Sequence, residues 1–97
     1  MKRFILAAFL LVLIGATPSF ADPLEEGMAA YERGDFAIAL RLFRPLAEQG
    51  HATGQFLLGG MYHQGFGVQQ DYAEAEKWFR KAAEQGHADA QLGLAGM

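Results

Sequence analysis

The sequence predicts an all-α protein, an α-solenoid of antiparallel helix-turn-helix repeats preceded by an export segment. Three observations carry this prediction: an internal repeat, helical spacing of apolar residues within it, and a separate apolar run at the start of the chain. The 97 residues are enough for one small domain. The chain has no cysteine, which excludes disulfides and thiolate metal sites.

The start of the chain has the pattern of a cleavable signal peptide, expected to cover residues 1–21. Two basic residues precede the apolar run 4–14, which is shorter than the roughly 20 residues that span a bilayer. Small residues occupy the positions that a signal peptidase reads, so we expect cleavage between Ala21 and Asp22. The alternative is a retained membrane anchor. Cleavage would leave residues 22–97 as a periplasmic or secreted domain without a membrane attachment.

The expected mature domain is acidic. Without Lys2 and Arg3, six basic residues remain against eleven acidic ones, a formal net charge of −5. Proteins that bind nucleic acids through their surface carry the opposite charge. We therefore expect no nucleic acid among the partners.

The chain contains two copies of one segment, offset by 36 residues. Residues 35–61 align with residues 71–97, and 15 of the 27 positions are identical. The longest shared run is AEQGHA, at residues 47–52 and 83–88. A period of this size indicates a supersecondary unit that stacks on copies of itself.

Each copy begins with a long amphipathic helix. Asp71 and Glu74 form the pattern of a capping box at its start in the second copy, and Gly86 is placed to end it. The first copy repeats the pattern from Asp35 to Gly50. The apolar residues of the second copy recur at three- and four-residue steps: Tyr72, Ala75, Phe79, Ala82 and Ala83.

Shorter helices are expected at residues 23–32, 52–63 and 88–97. The middle one contains Gly54, Gly59 and Gly60, each about 1 kcal/mol less favourable in a helix than alanine. We expect these glycines to allow close approach of a neighbouring helix. The facing small residues are expected to be Ala39, Ala47, Ala75 and Ala83.

The loop between the two copies is longer than the first turn and contains apolar residues. Residues 62–71 connect two successive helices, and residues 31–35 make the equivalent connection with five fewer residues. We expect a folded connector in which Phe66 and Val68 pack against the helix pair.

The motifs at residues 58–62 (LGGMY), 65–68 (GFGV) and 71–88 resemble the Sel-one-like repeat, a variant of the tetratricopeptide helix-turn-helix. The resemblance covers residues 24–97 and implies two full repeats and an unfinished third. It also implies a role in protein-protein contact, in exported bacterial members for envelope signalling, exopolysaccharide control or host contact. The chain lacks the paired cysteines of the secreted branch that includes β-lactam-binding or β-lactam-hydrolysing members.

The expected mature domain contains little catalytic chemistry. It has no serine and a single threonine, Thr53, so hydroxyl or thiol nucleophiles are scarce. His51 and His87 occupy equivalent turns, too far apart to share a metal ion, and we expect them to cap or contact the preceding helix end. We expect no enzymatic activity, no metal and no cofactor. The alternative is an envelope hydrolase like the β-lactam-active relatives.

Positions that are identical in both copies are required by the scaffold twice. Gln55 and Gln91 are therefore expected to bond across the helix pair, and Trp78, beside the apolar face, is expected to be buried between repeats. Positions that differ are freer to contact a partner, and the candidates are Arg33, Thr53, Leu57 and His63. Leu57, whose counterpart is Gly93, is either an exposed contact or buried against the preceding helix.

The sequence therefore predicts an exported, non-enzymatic scaffold that binds a protein or peptide partner in a groove formed by the short helices. The last helix carries Leu92, Leu94 and Met97 with no following helix to cover them. Another molecule would cover this end. A second copy of the chain would do so by self-association. The alternative is that the chain is a truncated remnant of a longer repeat protein, because about three repeats are normally needed for stability.

Overall fold

A computed structural model describes residues 22–97, and this part of the chain is entirely helical apart from turns and loops. The expected signal segment and its Ala21 cleavage position lie outside the described residues. The helices are α1 (Pro23–Glu32), α2 (Phe36–Glu48), α3 (Ala52–Gln64), α4 (Tyr72–Glu84) and α5 (Ala88–Ala95). The expectation of a shorter helix is wrong for α3, because it continues to the left-handed turn at Gly65 and has 13 residues, as many as α2 and α4. Each helix packs chiefly against the helices before and after it in the chain, so the helices stack as hairpins. Within residues 22–97, every helix falls short of the length and apolar content that crossing a membrane requires.

Aspartates cap two of the helices, and one of these caps, at Asp71, is predicted by the sequence. Asp22 Oδ1 accepts a hydrogen bond from the backbone N–H of Leu24 at 3.0 Å. Asp71 Oδ1 accepts one from the backbone N–H of Glu74 at 3.1 Å. Asp35 precedes α2 without a side-chain cap bond. The caps satisfy backbone donors that have no partner within the first turn of a helix.

Helices α2 and α4 end in the same way. Gly50 and Gly86 follow α2 and α4 with φ angles of 94° and 89°, in the left-handed region that glycine adopts without steric cost. The next backbone N–H then bonds back into each helix, from His51 to the Leu46 carbonyl at 3.0 Å in the first copy. The same bond recurs in the second copy, so both turns are Schellman motifs.

Two clusters of buried side chains hold the stack together. Phe43 and Met61 are fully buried in the first cluster, between α2 and α3. Trp78 joins the second, against Ala47 and Leu58, and is 6% exposed. The predicted burial of Trp78 between the repeats is confirmed.

The glycines of α3 differ from one another in their surroundings. A Cβ on Gly54 would lie 2.8 Å from Leu46 Cβ, and a Cβ on Gly59 would lie 2.7 Å from Phe79 Cδ1. Close helix approach is therefore confirmed at these two positions. The expectation is wrong for Gly60, because a Cβ there would have no atom of another residue nearby within 4 Å.

The long loop packs onto the first hairpin through aromatic contacts. The Phe66 ring stacks on Phe36, with centroids 4.4 Å apart and planes 4° apart, and its centroid lies 6.0 Å from that of Tyr31. Val68 is half-buried. The predicted inward packing of this connector is confirmed, and it fixes the position of α3 relative to α1.

Glutamines join neighbouring helices at equivalent places in the two copies. Gln55 Nε2 donates to the Ala47 carbonyl at 3.1 Å, and Gln91 Nε2 donates to the Ala83 carbonyl at 3.2 Å. Gln85 Nε2 donates to Gln55 Oε1 at 2.9 Å and so links the repeats to each other. The predicted bonding of Gln55 and Gln91 across the helix pair is confirmed.

Candidate functional site

A groove with apolar walls crosses helices α1, α3 and α5. We call it the central groove; its volume is about 380 Å³. Helix α3 lies in the middle, with one residue of α1 on one side and residues of α5 on the other. The apolar walls are formed by Tyr31, Phe56, Leu57, Phe79 and Leu92.

Glycines form the floor of the central groove. Gly60 lies on α3, Gly93 lies on α5, and Gly96 directly follows α5. A Cβ on Gly93 would be at ordinary contact distance, 3.4 Å, from the Phe79 ring, whereas a Cβ on Gly60 would face open space. Gly60 therefore is not required by packing, although glycine costs about 1 kcal/mol relative to alanine inside a helix. The depth of the groove depends on the missing side chain at this position.

The walls of the groove are an array of rings in mutual contact. The Phe56 ring lies 5.7 Å from Phe79 and 4.9 Å from the imidazole of His87, between centroids. The His63 ring lies 6.4 Å from Phe79 and 5.2 Å from Tyr72. Contacts of this kind hold the rings in place and present a preformed apolar surface.

The structure brings two of the four predicted contact residues into the groove. Leu57 and His63 line it, and Thr53 lies one turn before Leu57 on the same helix. Arg33 is exposed in the turn that follows α1 and does not line the groove. Leu57 combines its two sequence interpretations, because it is half-buried against the first core cluster and also faces the groove.

Most of the groove was missed by the comparison of the two copies. Gly60 is identical to its counterpart Gly96, and Phe79 is identical to Phe43, so both were assigned to the scaffold. The signal that could have identified Gly60 is energetic: three glycines within one helix are more than close packing requires.

The histidines of the two repeat turns cap the helices that follow them. His51 Nδ1 accepts a hydrogen bond from the Gly54 N–H at 3.1 Å, and His87 Nδ1 accepts one from the Ala90 N–H at 3.2 Å. The expectation that they cap or contact the preceding helix end holds for their backbone N–H groups, which bond to the Leu46 and Ala82 carbonyls, but the imidazoles cap the following helices. Within residues 22–97 no cluster of three or more potential metal-binding side chains is found.

Comparison with known families identifies the helix hairpins. A family model described as the Sel1 repeat matches residues 24–51 and 52–87. The chain belongs to the Sel1 repeat family. Each match covers one hairpin, α1 with α2 and α3 with α4, so α5 stands where a further Sel1 repeat would begin.

A solved structure agrees with this assignment. The crystal structure of a Sel1 repeat protein from Oxalobacter formigenes is similar, with 29% sequence identity and a TM-score of 0.66. The alignment covers 96% of this chain and 42% of that one, so the chain spans less than half the length of this relative. No curated protein matches the chain. Stacked Sel1 repeats form a helical solenoid similar to tetratricopeptide repeats, an architecture that suits contact between proteins.

Proposed function

We propose that this Sel1 repeat protein is a non-enzymatic scaffold of the cell envelope that binds a segment of a partner protein in the central groove. The observation that carries the proposal is the groove itself, with apolar walls from α1, α3, α4 and α5 and a floor opened by Gly60. Helical repeats bind partners on extended concave surfaces of this kind. Grooves with apolar walls accept apolar side chains of a peptide segment.

The polar groups of the groove support a binding role over a catalytic one. His63 and Gln64 line it, and the His63 ring lies beside the rings of Tyr72 and Phe79. A histidine that acts as a general base is usually oriented by a hydrogen bond that its ring N–H donates to a third group, such as a carboxylate. The aromatic neighbours of His63 provide a contact surface for a ligand instead.

Location in the cell envelope is supported by the sequence of residues 1–21. A basic start, an apolar run and small residues before Asp22 are typical of a signal peptide. Intact mass of the protein recovered from the periplasmic fraction tests this proposal. We expect a chain that begins at Asp22, and retention of residues 1–21 would contradict export by cleavage.

Site-specific photocrosslinking tests binding in the groove. A photoreactive residue replaces Gln64, an exposed groove residue, or Arg41, an exposed residue of α2 outside the groove. We expect a discrete crosslinked partner from position 64 only. That partner should disappear when Gly60→Leu fills the groove. Equal crosslinking from both positions, or crosslinking unaffected by Gly60→Leu, would contradict the proposal.

A further inference from the structure

The charges of the described helices are distributed unevenly between one set of helices, α1, α3 and α5, and the other set, α2 and α4. Helices α1, α3 and α5 carry no lysine or arginine. Their four acidic residues are all exposed, and none forms a salt bridge within residues 22–97. These residues are Glu25, Glu26, Glu32 and Asp89.

Helices α2 and α4 carry both signs of charge. Their five basic residues exceed their four acidic ones by one, whereas α1, α3 and α5 together have a formal charge of −4. Several of the bases are engaged locally. Lys77 Nζ lies 3.0 Å from Glu74 Oε2, and the ammonium groups of Lys77 and Lys81 lie about 5 Å from the Trp78 ring centroid. None of the six basic side chains of residues 22–97 lines the groove, although Arg33 directly follows Glu32 and Arg80 directly follows the groove residue Phe79.

Two of the unpaired acids adjoin the walls of the central groove. Glu32 follows the wall residue Tyr31 at the end of α1. Asp89 lies three residues before Leu92 and four before Gly93, which places all three on one face of α5. The lining of the groove includes no carboxylate, but carboxylates on the helices that form its walls add negative potential around it.

We infer that the central groove binds a cationic peptide segment, in which an apolar or aromatic side chain sits over Gly60 and lysine or arginine residues flank it. The inference rests on the proposed function and adds the chemistry of the partner. The apolar side chain contacts Leu57 and Phe79, and the flanking cations face the carboxylates of α1 and α5. Charge complementarity of this kind raises association rates and selects among partners.

The same charges disfavour other occupants of the groove. A second copy would bring its own carboxylates to the acidic face, where like charges repel. An anionic membrane surface or nucleic acid would meet the same repulsion. A partner segment rich in lysine or arginine is attracted instead.

Three matched fluorescent peptides test the inference on the purified protein. Each carries a central Leu-Phe pair, flanked in one peptide by lysines, in the second by glutamines and in the third by glutamates. We expect the lysine peptide to bind more tightly than the glutamine peptide by roughly tenfold or more at about 0.01 M salt. The difference should shrink at about 0.15 M salt, where the Debye length is about 8 Å. The glutamate peptide should bind most weakly.

A matched pair of double variants locates the source of the charge preference. Glu32→Gln with Asp89→Asn should reduce the preference for the lysine peptide severalfold and leave binding of the glutamine peptide unchanged. Glu48→Gln with Glu84→Gln removes the same charge from exposed positions on α2 and α4 and should leave the preference for the lysine peptide unchanged. Equal effects of the two double variants would overturn the inference.

The outcomes distinguish failure of this inference from failure of the proposed function. If all three peptides bind equally and Gly60→Leu abolishes their binding, the groove binds peptides without a charge preference and only the inference is overturned. If no peptide binds, or if binding survives Gly60→Leu, both are overturned. A dimer in sedimentation velocity that Gly60→Leu dissociates would show a second copy in the groove and would also overturn the inference.

Discussion

Phe79 occupies the space that the missing side chain of Gly59 leaves on α3. A Cβ on Gly59 would lie 2.7 Å from Phe79 Cδ1 and 3.3 Å from the Ala75 carbonyl oxygen. The Phe79 ring is 5% exposed, so it has little room to move away. The next residue, Gly60, lies on another face of the helix and opens into the central groove. Two neighbouring glycines therefore serve different purposes, the first in packing and the second in the shape of the groove.

Gly59→Ala should destabilise the fold. The added methyl group collides with a buried ring and approaches backbone, and overpacking of this kind costs about 1–3 kcal/mol. The measurement is the free energy of unfolding from urea denaturation followed by circular dichroism. A free energy of unfolding equal to that of the unmodified protein would show that α3 and α4 are not in close contact at this position.

Gly60→Ala should have the opposite effect. Its methyl group meets no neighbour, and alanine is favoured over glycine inside a helix by up to about 1 kcal/mol. The same denaturation measurement should give a higher free energy of unfolding. Gly59→Ala is its matched control, because the change in composition is identical. A loss of stability in Gly60→Ala would mean that the groove floor is filled rather than open.

Gln55→Ala should destabilise the stack, because Gln55 is 4% exposed and joins three helices. Its loss leaves the Ala47 carbonyl without its side-chain partner and removes the acceptor for Gln85. Removing one partner of a buried hydrogen bond costs about 1–3 kcal/mol. Thermal unfolding of Gln91→Ala, the exposed equivalent in the second copy, is the control and should change stability by no more than about 0.5 kcal/mol. Equal losses in the two variants would contradict this account of the buried glutamine.

His51→Ala should destabilise α3 by about 1 kcal/mol, the usual cost of losing an N-cap acceptor. His51→Asn retains an acceptor that reaches the Gly54 N–H and should restore most of this loss. The free energy of unfolding at neutral pH measures both variants. If asparagine and alanine destabilise equally, the contribution of His51 comes from something other than its cap bond.

The stack of hairpins could be predicted because the chain contains two copies of one segment, which can be compared with each other. A residue that recurs after 36 positions, such as Gln55 at Gln91, has a structural role that is used twice. The same reasoning concealed the role of Gly60 in the predicted groove, since Gly60 also recurs, at Gly96. Sequence spacing cannot distinguish a glycine that faces a neighbouring helix from one that faces open space. The difference depends on the relative positions of α1, α3 and α5.

The direction of the histidine caps depends on a detail that the sequence leaves open. His51 stands between the end of α2 and the start of α3, and a side chain there can serve either helix. The backbone of Gly50 decides the matter, because its left-handed turn lets the His51 N–H close α2. The imidazole is then free to accept a bond from the first turn of α3.

Backbone amide chemical shifts, recorded during titration with the lysine peptide, test the central claim most directly. The claim is that the stacked Sel1 repeats present one binding surface, the groove across α1, α3 and α5. We predict that the largest chemical-shift changes occur at Gly60, His63 and Gly93, and that the exposed residues Arg41 on α2 and Lys81 on α4 change little. Chemical-shift changes centred on the exposed faces of α2 and α4, or spread evenly over residues 22–97, would contradict the account.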